Sequence, residues 1–179
     1  HIESSDNTSV LRLMETTGQD SIWDLRAASN NSFHISGSTD GSTTTAMFTI
    51  TDTGNVGIGT TAPDENFVVS SDSGSDIIFG SHHNTDTNSS RLFFFKSGGT
   101  AASPTIVADD EMIGAMYAYG HDGVNYESAA AIIFDADDTV SSNVMPGRIE
   151  FHTNEGSQAL TEQMRIAANG NVGIGTTAP

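Results

Sequence analysis

Along the chain, short stretches in which apolar residues alternate with polar or small ones end at clusters of Gly, Asn, Asp, Ser and Pro. This is the pattern of half-buried strands joined by turns. The clearest stretch is GNVGIGTTAP, which runs from Gly54 to Pro63 and recurs unchanged from Gly170 to Pro179. In it Val56 and Ile58, or Val172 and Ile174, alternate with Gly57 and Gly59, or Gly173 and Gly175. One strand face is therefore apolar and the other lacks side chains, which invites close approach by another backbone. The preceding triplets, Asp52-Thr53-Gly54 and Ala168-Asn169-Gly170, predict a hairpin. A two-residue type I′ turn needs positive φ at both central positions, which Asn169 tolerates and the β-branched Thr53 does not. A three-residue loop with glycine in the left-handed position fits both copies. That register sets Ile50 opposite Val56, Phe48 opposite Ile58, Ile166 opposite Val172 and Met164 opposite Ile174, and all four pairs are apolar.

The same reading predicts a short strand near Ile2, a second over Val10 to Met14, and an apolar strand at Phe93, Phe94 and Phe95. Further strands are expected in MIGAMYAYG, AAAIIFDADD and GRIEFHTNEG. Gln158 to Met164 has helical propensity, but matching Met164 to Phe48 in the hairpin predicts a strand there instead. The expected fold class is all-β, built from repeated hairpin units.

The repeat has a beginning as well as an end. Val68 to Phe79 aligns with Ile2 to Leu13, Phe151 and His152 align with Phe33 and His34, and the closing motifs align with each other. These matches divide the chain into a short unit, residues 1–66, and a long unit, residues 67–179. The long unit carries an insertion between about residues 91 and 146. His1 and Pro179 fall at nearly the same phase of the repeat, the expectation for an excerpt of a longer array.

Charge narrows the partners. Six Lys and Arg against 23 Asp and Glu give a net charge of -17, which excludes nucleic acid and disfavours anionic membrane surfaces. No apolar run approaches the ~20 residues of a membrane-spanning helix, so no membrane insertion is expected. Without cysteine there are neither disulfides nor thiolate metal sites. With only 36% hydrophobic residues, partner chains are expected to complete the core.

Candidate chemistry is sparse. The motif G-x-x-G-x-G has neither a following Lys nor a helix former, and Pro63 and Pro179 close it, so it is not read as a phosphate loop. His82 and His83 in SHHNTDTN could surround an axial metal ion in a trimer, although adjacent strand residues point to opposite faces and a solvated loop is the simpler reading. Asp135, Asp137 and Asp138, and Asp109, Asp110 and Glu111, offer carboxylate oxygens for calcium but lack the EF-hand spacing, and solvated acidic loops explain them. Tyr117, Tyr119, His121 and Tyr126 flank the turn HDGVN and could stack on a sugar; ordinary sheet-face aromatics are the alternative. Trp23 is expected at a chain interface. No catalytic, cofactor-binding or metal residues are assigned, no cofactor is expected, and the chain is not read as an enzyme.

The runs GRIEFHTNEG and TEQMRIAANGNVGIGTTAP resemble the repeat of bacteriophage tail fibres and tailspikes found ahead of a self-cleaving C-terminal chaperone domain. The resemblance implies an elongated, intertwined homotrimeric β-fibre, a β-prism or triple β-helix-like shaft. In it the glycine face would sit where chains approach closely. It also implies an extracellular, virion-borne stalk whose partners are its own copies within a longer fibre. A host-surface glycan bound by the inserted region of the long unit, or a non-viral bacterial surface filament, are the alternatives.

Overall fold

The computed structural model describes residues 9–14, 22–38, 45–75, 77–80, 89–156 and 159–179. Every regular element among them is a strand. The strand expected near Ile2 lies outside the described residues. The chain forms two compact units, His1–His82 and His83–Pro179.

The first unit is one sheet. Strands β1 (Ser9–Met14), β2 (Ile22–Ala27), β3 (Phe33–Ser38), β4 (Thr45–Ile50) and β5 (Val56–Ile58) form an antiparallel meander, and β6 (Phe67–Val69) pairs parallel to β5. The alternation of the sequence sorts side chains onto two faces. Leu11, Leu25, Ile35, Phe48, Ile58 and Val69 stand directly opposite one another, an apolar row crossing all six strands. The other face carries Asp24, Arg26, His34, Ser36 and Thr49.

The second unit holds a small hairpin, β7 (Gly98–Thr100) with β8 (Ser103–Thr105), and a five-stranded antiparallel meander. The meander consists of β9 (Met112–His121), β10 (Tyr126–Ala136), β11 (Gly147–Asn154), β12 (Leu160–Ile166) and β13 (Val172–Ile174). Here Met116, Ile132, Phe151, Met164 and Ile174 form the matching row. The meander β1 to β5 therefore recurs as β9 to β13, strand for strand.

The hairpin at the end of each meander has the expected register, with Ile50 opposite Val56, Phe48 opposite Ile58, Ile166 opposite Val172 and Met164 opposite Ile174. The Thr51 and Ala167 amides donate to the Asn55 and Asn171 carbonyls, closing three-residue loops. Gly54 and Gly170 adopt φ of 92° and 85°, which only glycine takes readily.

Earlier in each unit the structure differs from the sequence alignment. Register equates Ile35, not Phe33, with Phe151, because Ile35 pairs with Phe48 as Phe151 pairs with Met164. A slip of two residues keeps every side chain on its own face, so alternation alone could not detect it. Likewise Leu11 of β1 corresponds to Met116, whereas Ile77 to Phe79, its sequence match, form no strand. Phe93 to Phe95 form no strand either. Phe94 instead lies on the sheet face, filling the space a Cβ on Gly114 would take and stacking on Phe134 at 5.9 Å between ring centres.

Candidate functional site

Three features of these sheets bear on function: an apolar face left partly open, a polar face closed on itself, and a glycine strand under its own tail.

The apolar rows are partly open to solvent. Leu11, Trp23, Leu25, Phe33, Ile50 and Ile58 of the first unit are all exposed, as are Met116, Val172 and Ile174 of the second, the last at 78%. In most soluble sheets the apolar face is buried and the polar one wet. Here the most deeply buried side chains of the first unit are Asp24, Ser36 and Thr49, all polar. Trp23, expected at a chain interface, lies on the open face beside Met47 above Gly37. The second unit replaces the cross-strand pair Leu13–Trp23 by Ala118–Ala130. This opens a hollow of about 420 Å³ bordered by Met116, Ile132 and Phe151.

On the opposite face of the second unit, Arg148 and Arg165 hold a lattice of carboxylates. Arg148 donates through Nε to Glu150 (2.6 Å), through Nη2 to Asp135 (3.0 Å), and through Nη1 to Asp110 (2.5 Å), Asp137 (3.2 Å) and the Ala136 carbonyl. Arg165 donates to Glu150 (2.8 Å) and forks onto both oxygens of Glu162. His152 Nε2 meets the other Glu150 oxygen at 2.8 Å. Strand alternation puts Arg148, Glu150 and His152 on one face of β11, and register brings Arg165 and Glu162 beside them. Burial opposes the charge on Arg148, but the bonds to Glu150, Asp110 and Asp137 outweigh it and raise its pKa. Burial likewise works against Glu150, and its bonds to His152 and Arg148 win, holding it below the usual glutamate range. Asp135 goes the other way: burial and the nearby Glu150 raise it despite Arg148.

Asp110 of one acidic run and Asp135 and Asp137 of the other thus meet at one guanidinium. Asp109 Oδ1 also accepts the Asp138 amide, and Asp137 accepts the Ala168 amide. Glu150, His152 and Glu162 bring ligand atoms within 4.8 Å of one another, a geometry that could hold a metal ion. Every one of them is already engaged, and a cation there would have to displace Arg148 and Arg165. The sequence missed Arg148 as the hub because its partners are spread over 40 positions. His82 and His83 lie outside the described residues.

The first unit has the same face in sparser form. Arg12 forks onto Asp24 with two bonds of 2.8 Å, and Arg26 reaches His34 Nδ1 at 3.4 Å. Burial, assisted by Arg26, lowers the His34 pKa. Thr49 Oγ1 and Ser36 Oγ are buried without a hydrogen-bond partner.

The glycine strand is covered, but by its own chain. After Ile58 the backbone reverses at Gly59 (φ 74°), and the Thr60 hydroxyl accepts the Ala62 amide, curling TTAP back. A Cβ on Gly57 would sit 2.7 Å from the Thr60 carbonyl oxygen and 3.5 Å from Pro63 Cδ. Asn55 Nδ2 holds the returning Pro63 carbonyl at 3.2 Å, and Asn171 holds Pro179 at 3.3 Å in the second copy. The neighbour expected from the sequence to be another chain is the motif's own second half.

The described regular elements of both units are strands, so the chain is all-β. Among solved structures it is similar to the carboxy-terminal domain of the bacteriophage T5 L-shaped tail fibre, with a TM-score of 0.64 and 11% identity over 99% of this chain and 75% of that one. It is also similar to that domain with its intramolecular chaperone domain, with a TM-score of 0.67 and 11% identity over 99% of this chain and about half (52%) of that one. No protein-family model matches the sequence, and no curated protein is detectably similar to it.

Proposed function

We propose that this chain is a structural stalk segment of a fibrous, homotrimeric attachment protein of the tail-fibre kind, borne on a virion and working outside the cell. The observation that carries this reading is the inverted burial. Each unit buries polar side chains and leaves part of its apolar row open, so apolar surface remains for a partner chain to cover. Three copies that turn these rows toward a common axis would supply the missing core. A closed cyclic arrangement lets identical faces cover one another. The fold shared with the T5 tail fibre domain supports the same reading. The role is mechanical, and the carboxylate lattice serves to hold the sheet. The repeat units, residues 1–66 and 67–179, would be successive segments of the shaft. Light scattering on the purified chain tests the proposal: a trimer is expected, and a stable monomer overturns it.

A further inference from the structure

The decapeptide GNVGIGTTAP occurs twice with one sequence and one hairpin register, yet its two copies differ in what lies beside them. In both, alternate residues bond inward to the preceding strand. The Gly59 amide donates to the Met47 carbonyl at 3.0 Å, and the Gly175 amide to the Gln163 carbonyl at 2.9 Å. The antiparallel pattern then turns the amides and carbonyls of Val56 and Ile58, and of Val172 and Ile174, toward the far edge. In the first copy that edge is filled. Strand β6 runs parallel to β5, the Val56 amide donates to the Asn66 carbonyl at 2.9 Å, and the Ser70 amide donates to the Ile58 carbonyl at 3.0 Å. In the second copy β13 ends its sheet, and no strand among the described residues lies beyond it.

Two further differences trace the outline of the neighbour. A Cβ on Gly59 would run into the Ser70 carbonyl, so the end of β6 lies against this glycine, whereas a Cβ on Gly175 would meet nothing within 4 Å. Ile58 is 41% exposed beside Val69, and its counterpart Ile174 is 78% exposed. The tail leading to the edge is set alike in both copies, since Asn171 holds the Pro179 carbonyl as Asn55 holds that of Pro63.

We infer that the outer edge of β13 is a docking site for one parallel strand, and that its occupant is a β6-type strand, of the pattern Asn66-Phe67-Val68-Val69-Ser70, from another repeat unit of this kind. Strands added to an edge take their affinity from main-chain bonds and their specificity from alternate side chains. What fits β5 fits β13, because both edges present the same residues in the same register. The counterpart of Val69 would stand opposite Ile174 and lengthen its apolar row, the counterpart of Phe67 would stand opposite Val172, and the counterpart of Val68 would face Gly173. An edge of only three residues presents little backbone to unrelated strands, which favours this one matched partner. The inference requires no particular number of chains in the assembly.

The test joins a copy of residues 64–72 to Pro179 of the full chain and follows amide hydrogen exchange, the tether holding the added strand at a roughly millimolar local concentration. A control extension carries proline in place of the Val68 copy and so cannot donate to the ladder there. In the unextended chain the Val172 and Ile174 amides are expected to exchange at least about tenfold faster than those of Val56 and Ile58. The extension should slow them at least about tenfold, and the proline control should not. Edge amides already slow in the unextended chain, no slowing by the extension, or equal slowing by the control each overturn the docking site. Light scattering on the same samples reads the assembly separately: a trimer without slowed amides refutes this site alone, and a monomer with them refutes the stalk alone.

Discussion

Replacing Gly57 by alanine probes the motif that closes each unit. The added methyl would lie 2.7 Å from the Thr60 carbonyl oxygen and 3.0 Å from Thr60 Cγ2, contacts that force the returning TTAP segment outward. The segment cannot swing freely, because the Val56 amide donates to the Asn66 carbonyl and β6 then pairs with β5. Overpacking of this kind costs about 1–3 kcal/mol, and straining the Asn55–Pro63 bond adds about 1 kcal/mol. Against this, alanine restricts the unfolded chain and returns about 0.4–1 kcal/mol. The net expectation is a loss of about 1–3 kcal/mol. Trp23, the single tryptophan, lies in the same unit, so urea denaturation followed by its fluorescence reads the effect directly. Because the contact lies within one chain, the oligomer seen by light scattering should remain. Wild-type stability in Gly57→Ala would refute the fold-back, and wild-type stability with lost assembly would return the close contact to a neighbouring chain.

Other substitutions separate the two faces. Glu150→Gln removes the carboxylate shared by Arg148, Arg165 and His152 and should cost about 3–5 kcal/mol in thermal or urea unfolding, as for a broken buried ion pair; a loss below ~1 kcal/mol would show the lattice to be ornamental. Thr49→Val should stabilise by about 1 kcal/mol, since it removes a buried hydroxyl that has no partner, and a clear loss would mean that the hydroxyl is bonded after all. Stability should also fall in two stages on acidification. His34 is held below its ordinary value, so its contribution is complete above the usual histidine range, ~6.5, and is lost as pH drops through the folded value; His34→Leu should abolish this first stage in the Trp23 signal. Glu150 and Asp137 are likewise lowered, the latter first by the Ala168 amide, so their contributions are lost only below the ordinary carboxylate range, partly offset by Asp135, whose raised value is relieved by protonation.

What the sequence discloses here follows from the range of the interactions involved. The closing hairpin was legible to the residue because loop length, the left-handed glycine and four apolar pairs all constrain one register. The strand at Leu160–Ile166 followed from that register although its local propensity is helical. By contrast, Phe93 to Phe95 read as a strand because an apolar run does not say whether its backbone pairs or its rings cover a neighbouring face. The correspondence of β1 with β9 was hidden because leucines of one copy are replaced by Met116 and Ala118 in the other, conserving face but not identity. Arg148 gave no local signal at all, since its four carboxylates come from three separate segments.

That last arrangement bears on the surroundings in which such a chain can work. Its exposed carboxylates repel one another, and dissolved salt weakens that repulsion. The contacts of Arg148 and Arg165 are largely shielded from solvent ions and are screened far less. A rise in ionic strength therefore relieves what strains the chain while sparing what binds it, so the second unit should hold its form in brine at least as well as in fresh water.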